Sequence, residues 1–332
     1  MATCSTVTVM LWGATPWTFR DQAARWSRTM FDATSLSNFT DNTSPVGAQE
    51  RDAANASDKD LQRAEGYCRI VLSDSERGTH IKDVFQRSPI RVLFPRAGGR
   101  AIEEAVLVNT SGGIAGGDRL EYSVTTLGNA SIAITSQAAE KVYRALREPA
   151  RVVTRLEAHE TARLAWLPQE TIVFNWARLS RDTQIELSSG CELLALEWLL
   201  LGRAAHGEEV HGGQITDTWR VKKDGRLIWA DTFRVTDEIF PHLDRKALLS
   251  DCKAVATLLY FGPGLDTRLE FLRDLVPSLQ CQSAATSVSG LIVVRFAAKA
   301  SSDLRLALRS LLRQFGQELG PGPFRVPKMW SC

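Results

Sequence analysis

Two glutamates lie inside strongly apolar stretches of the sequence. Glu170 occurs within AWLPQETIVF, and Glu197 interrupts the run LLALEWLLL. A charged side chain in such surroundings is costly unless it is paired or lines a hydrated cavity. Two interpretations follow: an internal ion pair, for example of Glu197 with Arg203 or Lys141, or a functional polar channel.

A glycine-rich segment, TSGGIAGGD, ends at Asp118. The spacing from Gly112 to Gly117 matches the glycines of a phosphate-binding loop, whose backbone N–H groups cradle an anion. Asp118, however, stands where such a loop needs a lysine, and no dinucleotide-binding pattern is present. We therefore expect Gly112, Gly113, Gly116 and Gly117 to form a structural turn between strands, with close backbone approach of a neighbour or a partner.

Histidines and cysteines offer little further chemistry. His206 and His211, in the sequence HGEEVH, are the nearest approach to a cluster of nickel or zinc ligands, and a solvated loop is the favoured alternative. No nucleophile elbow of the form G-x-S-x-G occurs. The six cysteines are scattered singly, which favours reduced thiols in a cytoplasmic protein over a disulfide framework.

Charge and hydropathy exclude two classes of partner. Lys and Arg total 40 against 38 Asp and Glu, so the formal net charge of +2 does not predict nucleic-acid binding. No apolar run reaches the roughly 18 to 20 residues of a membrane-spanning helix. Because no Lys or Arg precedes Arg20, the charged start of a secretory signal is missing, and we expect a cytoplasmic location without membrane contact.

Apolar residues are sparse in residues 1–64, which are expected to form a poorly ordered extension. From residue 65 the pattern changes to short apolar runs, several of which alternate with polar residues as in half-buried antiparallel strands. Residues 65–332 are therefore predicted to form one β-rich domain. The predicted strands are Tyr67–Leu72, Pro89–Phe94, Ala105–Asn109, Arg119–Thr126, Ala130–Thr135, Arg151–Leu156, Ala162–Leu167, Thr171–Phe174 and Thr183–Leu187.

Helical periodicity occurs late in the chain. Asp303–Leu319 and Asp266–Val276 each place leucines on one face, while Asp244–Ala256 is a weaker third helix because Val255–Phe261 also fits a strand. No period of 20 to 50 residues recurs, so a repeat array is not supported. The sequence predicts an all-β-dominated fold with two or three α-helices near the C-terminus.

Five segments resemble the UreD (UreH) family of urease accessory proteins. In order, they match the family patterns H-T-x-G-G-x-x-G-G-D, T-x-Q-A-x-x-K-V-Y-R, W-L-P-Q-E-T-I-x-F, L-G-R-x-A-x-G-E and, approximately, P-R-x-W. The corresponding segments are Asn109–Asp118, Thr135–Arg144, Trp166–Phe174, Leu201–Glu208 and Val326–Trp330. The resemblance covers about residues 65–330, with Asn109 in place of the usual histidine and Lys328 in place of the arginine.

The resemblance implies a helically wound β-fold and a scaffold without catalytic activity of its own. Such a protein would bind apo-urease and UreF, which recruits the GTPase UreG, and would pass Ni²⁺ through an internal tunnel. No permanently bound cofactor is expected, only transient Ni²⁺. Weakly binding carboxylate and carbonyl oxygens suit such a path.

The candidate residues fall into two sets. The carboxylates that would line the metal path are Asp118, Glu170, Glu197 and Glu208, and the side chains that would organise it are Gln137, Lys141, Tyr143, Gln169 and Arg203. The C-terminal helix and the tail to Trp330 are candidate surfaces for UreF. Two alternatives remain open: a generic β-rich interaction module, and a hydrolase that uses Glu170 and Asp118 as acid and base.

Overall fold

The chain winds between two stacked β-sheets. A computed structural model describes residues 63–95, 103–203 and 206–331, all of which belong to one compact unit. The predicted β-dominated fold is confirmed. The strands are β1 (Glu65–Ser75), β2 (Gly78–Arg87), β3 (Ile90–Leu93), β4 (Glu104–Asn109), β5 (Arg119–Thr126), β6 (Ser131–Ser136), β7 (Glu140–Val142), β8 (Ala150–Ala158), β9 (Arg163–Trp166), β10 (Thr171–Val173), β11 (Arg178–Leu187), β12 (Glu192–Leu201), β13 (Gln214–Lys223), β14 (Arg226–Val235), β15 (Ala254–Phe261), β16 (Gln282–Val288) and β17 (Leu291–Ala298).

The order of strands shows the winding. The first sheet runs β14-β13-β11-β8-β5-β1-β2, and the second runs β16-β17-β15-β12-β9-β6-β4-β3, with β10 paired to β12 and β7. From β4 to β13 the chain alternates between the sheets, so successive strands of one sheet run in the same direction. The pairing is therefore parallel in the middle of both sheets and antiparallel at their ends.

Strand β5 shows what this winding changes relative to the sequence pattern. Its alternation of apolar and polar residues predicted an antiparallel strand, but β5 pairs in parallel with both β1 and β8. The antiparallel pairing predicted for this strand is wrong. Alternation indicates only that one face of a strand is buried. In β5 that face packs against the second sheet, and it would do so whether the adjacent strands run parallel or antiparallel.

Two apolar cores result from three layers. One core lies between the sheets, and the other lies between the second sheet and the helices α1 (Leu265–Leu275) and α2 (Ser301–Glu318). Every residue of β12 is buried because this strand is covered on both faces. The two helices predicted at these places are confirmed. The third, Asp244–Ala256, is not a helix, since the chain there turns and enters β15 between β12 and β17.

The predicted N-terminal extension, residues 1–64, lies outside the described residues except for Arg63 and Ala64. Within the described part of the chain, neither α-helix has the length and apolar character needed to cross a membrane.

Candidate functional site between the two sheets

A cavity of about 260 Å³ lies between the sheets. Its mouth is marked by exposed lining residues, Gly112, Gln137, Ala138 and Lys141. Its inner wall contains buried polar side chains. Among the residues predicted for the ion path, the cavity brings together Gln137, Lys141, Gln169 and Glu197.

The inner end of the cavity holds a network of buried charges centred on Arg181 of β11. Its guanidinium donates two hydrogen bonds to Asp217 of β13, at N–O distances of 2.9 and 2.6 Å. It donates a third to Glu197 of β12, at 2.6 Å, and a fourth to the Thr171 hydroxyl. The indole of Trp166 donates to the second oxygen of Glu197, at 2.8 Å. Glu197 is thus paired across the sheets, with neither Arg203 nor Lys141.

This network contains one guanidinium and two carboxylates. All three residues are at most 6% exposed. Burial raises the pKa of Glu197 above its ordinary value, while Arg181 and the Trp166 hydrogen bond act in the opposite direction. With both carboxylates ionised, the group carries a net charge of −1, which favours a cation in the cavity.

A further carboxylate lines the cavity nearer to its mouth. The Asn109 amide nitrogen lies 3.1 Å from each carboxylate oxygen of Glu140. Burial raises the pKa of Glu140 to about 7, although the Asn109 hydrogen bond acts to lower it. Sequence reasoning missed Glu140, because it occupies a variable position of the family pattern. The only signal was Asn109, which replaces the family's histidine and contacts Glu140.

Gln169 lines the cavity and has an unused acceptor. Its amide nitrogen donates to the backbone oxygen of Met329, at 2.7 Å, and its backbone N–H donates to Ser136. The side-chain oxygen is fully buried and accepts no hydrogen bond from any described residue. Such an orphaned oxygen is costly, so it is an available ligand for a cation or a water molecule.

Asp118 and Glu170 lie away from the cavity wall. One oxygen of Asp118 accepts from the backbone of Ala64 and the other from that of Ala115, each at 2.8 Å. Glu170 binds Arg305 of α2 with both oxygens, at 2.6 Å. Asp118 therefore holds the glycine-rich segment, and Glu170 fastens α2 to the second sheet. Neither of the two carboxylates predicted for acid–base chemistry lines the cavity.

The remaining predicted side chains form a group beside the mouth. Arg203 contacts Glu208 through its Nε, at 2.9 Å, and its guanidinium lies 4.2 Å from the centre of the Phe174 ring. Tyr143 packs edge-on against the same ring and donates from its hydroxyl to the backbone oxygen of Gly112, at 2.9 Å. Neither Glu208, Arg203 nor Tyr143 lines the cavity.

The glycine-rich segment is shaped by close packing rather than by a phosphate. A Cβ on Gly113 would overlap the Tyr143 ring, and one on Gly116 would overlap Ala145 and lie 2.7 Å from the backbone oxygen of Glu148. Gly113 also has a φ of 153°, which disfavours other residues. The predicted close approach of a neighbouring backbone is found here, supplied by residues 141–148.

Histidines take no part in the cavity. His206 and His211 are exposed, and neither lines it. Among the described residues, no group of three or more His, Cys, Asp or Glu side chains is arranged to hold a metal ion.

Comparison with known proteins identifies the family. The model of the UreD urease accessory protein family matches residues 64–331. Proteins named urease accessory protein UreD from Methylobacterium sp. (strain 4-46) and Rhizobium leguminosarum bv. viciae are each 38% identical to this chain. The alignments cover 81% of this chain and 95% and 96% of the relatives. A relative of the same name from Xanthobacter autotrophicus is also 38% identical, over 81% of this chain and 91% of its own length. The chain belongs to the UreD family of urease accessory proteins and has a role in urease maturation.

Proposed function

We propose that this chain is a non-catalytic scaffold that inserts nickel into apo-urease, and that Ni²⁺ passes through the cavity between its sheets. The observation that carries the proposal is the cavity itself, which combines a mouth at the surface with buried oxygen atoms and, at its inner end, two carboxylates that share one guanidinium. A cation would meet Glu140 near the mouth and Gln169 and Glu197 further along the wall.

The chemistry of these groups suits transfer better than storage. Ni²⁺ binds most tightly to nitrogen and thiolate ligands in a fixed geometry, whereas isolated carboxylate and amide oxygens hold it weakly. Conduction requires sites that are favourable enough to enter and weak enough to leave. Arg181 already neutralises part of the charge of Glu197, which further limits how tightly that carboxylate would hold the ion. We therefore propose transient Ni²⁺ as cargo, with no permanent cofactor.

We assign the exposed face of α2 to UreF, through which UreG would be recruited. Leu306 is 57% exposed on this helix, beside a groove lined by Arg309, Arg313 and Arg325. The C-terminal tail is less suited to be a free docking segment. Trp330 is fully buried, stacks on Trp198 and donates to the backbone oxygen of Leu167, so removing residues 320–332 would open the core.

The two alternatives are weaker on physical grounds. For the hydrolase, Asp118 is occupied by two backbone N–H groups and Glu170 by Arg305, so neither carboxylate is placed to transfer a proton to a shared substrate. Burying charges beside a cavity costs desolvation free energy, and a generic interaction module would have no use for such a cavity. A cytoplasmic location agrees with the free thiols of the described cysteines.

The proposal is tested by the nickel content of purified urease after co-expression with its other accessory proteins, with and without the full chain. The expected result is nickel-poor urease when the chain is omitted, together with co-purification of UreF, UreG and apo-urease with the chain when it is present. Equal nickel contents would overturn the insertion role. Turnover of a substrate by the chain alone would instead support the hydrolase.

A further inference from the structure

A surface groove of about 830 Å³ lies between α2 and the segment that follows it. One wall is the exposed side of α2, which carries Arg309 and Arg313. The other wall is the returning segment, residues 320–326, which carries Arg325. No residue lines both this groove and the cavity between the sheets. The groove is therefore a separate candidate site.

Close packing beneath the groove fixes its two walls. A Cβ on Gly316 would overlap the backbone oxygen of Phe324, so this glycine allows the returning segment to lie against α2. Phe324 is fully buried, and the guanidinium of Arg163 lies 4.8 Å from the centre of its ring. The same guanidinium donates to the backbone oxygen of Pro321. Because both walls are anchored to the body of the protein, the groove is preformed and a ligand loses less free energy in ordering it.

The charge of the groove is positive and unbalanced. Arg309, Arg313 and Arg325 are exposed, and none of them forms an ion pair with a carboxylate in the described part of the chain. No described Asp or Glu lines the groove. Arg305, one helical turn before Arg309, differs in this respect because it pairs with Glu170. Three guanidinium groups are thus available to a negatively charged ligand.

The composition of the groove favours an acidic peptide over other anions. Leu306, which is 57% exposed, and Val326 line it together with the arginines, so a matching ligand offers apolar contact as well as negative charge. Carboxylates fit the planar fork of a guanidinium, and Arg309 and Arg313 lie about 6 Å apart along the helix axis. The whole chain has 40 basic against 38 acidic residues, which does not provide the broad basic surface that nucleic acids and anionic membranes require.

We propose that this groove binds an acidic segment of a protein partner, whose carboxylates pair with Arg309, Arg313 and Arg325 and whose apolar side chain packs on Leu306. The inference rests on the proposed assignment of α2 to a protein partner, and it adds the chemistry by which the partner is recognised. Because these ion pairs form at the surface, the affinity falls as the salt concentration rises.

The test measures the binding of two fluorescein-labelled peptides to the full chain by fluorescence anisotropy. Both peptides are short and share a central pair of leucines, which is flanked by Glu in one peptide and by Lys in the other. The groove variant combines Arg309→Glu with Arg313→Glu. The matched control combines Arg226→Glu with Arg273→Glu, which changes the net charge equally at exposed positions outside the groove. Unfolding midpoints first establish that both variants fold.

We expect the wild type and the control to bind the Glu peptide at least about tenfold more tightly than the Lys peptide at low salt. The groove variant should show the reverse preference. A merely structural role of the arginines would not produce this reversal, because damage to the fold creates no affinity for lysine.

Three results would overturn the proposal. The first is equal binding of the two peptides by the wild type, and the second is the same loss of Glu-peptide binding in the control as in the groove variant. The third is tighter binding of single-stranded RNA or anionic lipid vesicles, with the same dependence on the two arginines. Failure of the proposed function would appear instead as a nickel content of urease that does not depend on the wild-type chain.

Discussion

Arg181 on β11 donates a hydrogen bond to Glu197 on β12 at an N–O distance of 2.6 Å, and so joins the first sheet to the second at the inner end of the cavity. The same guanidinium binds Asp217 within its own sheet. A single guanidinium is thus shared by two carboxylates that belong to different layers. The network both fixes the spacing of the sheets and sets the charge that an ion in the cavity would meet.

Loss of Arg181 should strongly destabilise the fold. Arg181→Met leaves Glu197 and Asp217 buried without their partner, and we expect the free energy of unfolding to fall by about 3–5 kcal/mol. Urea unfolding at neutral pH measures this change in the free energy of unfolding. The control is Arg155→Met, which removes a surface pair with Glu121 and should cost about 1 kcal/mol or less.

A triple variant tests whether uncompensated charge causes this loss of stability. Combining Arg181→Met with Glu197→Gln and Asp217→Asn removes the uncompensated charges and should recover a large part of the lost stability. A cost for Arg181→Met no greater than that of the surface control would contradict a structural role for the network.

Glu140 should make stability depend on pH. Its pKa is about 7 in the folded protein, against an ordinary value of 4.5, so between these values the folded state binds more protons than the unfolded state. The associated stability is fully present below about pH 4.5 and is lost as the pH rises through about 7. Because Glu140 is only half-buried, we expect a loss of about 1–3 kcal/mol between pH 5 and pH 8.

Glu140→Gln tests this linkage, since glutamine keeps an acceptor for Asn109 but does not titrate. Urea midpoints at pH 5 and pH 8 should differ more for the wild type than for the variant. Parallel pH dependence in the two proteins would show that Glu140 titrates at an ordinary pKa.

Gly113 should tolerate substitution less well than its neighbour Gly112. An added methyl group at Gly113 would overlap the Tyr143 ring and lie 2.9 Å from the backbone oxygen of Lys141, whereas at Gly112 it would meet nothing within 4 Å. Both have positive φ, so both alanine variants carry backbone strain. We expect Gly113→Ala to lower the thermal midpoint further, with an extra cost of about 1–3 kcal/mol. Equal midpoints would show that the glycine is not needed for the Tyr143 packing.

The nine predicted strands and both helices lie close to where the sequence pattern placed them, because local pattern determines them. Seven further strands were not predicted: β2, β7, β12, β13, β14, β16 and β17. Arg119–Thr126 begins and ends as predicted, and α2 differs by two residues at its start. The direction of pairing could not be predicted in the same way. Whether β5 runs parallel to β8 depends on the path of the chain through the other sheet, which no local pattern records.

The candidate site was predicted in part, for a similar reason. An apolar context correctly singled out Glu197 and Glu170 as buried carboxylates, but it could not tell which face of the second sheet each one occupies. Glu197 faces the cavity and Arg181, while Glu170 faces α2 and Arg305. The partner arginines lie 16 residues before and 135 residues after these glutamates, so only the fold pairs them.

The most direct test of nickel passage is to fill the cavity without changing its charge. Thr154 on β8 lines the cavity and is 1% exposed, and Thr126 on β5 is equally buried but does not line it. We would measure the nickel content of urease matured with Thr154→Leu or Thr126→Leu, after unfolding midpoints establish that both variants fold. We predict that Thr154→Leu lowers nickel loading about fivefold or more while Thr126→Leu leaves it near the wild-type value. Equal loading with the two variants would contradict passage of nickel through the cavity.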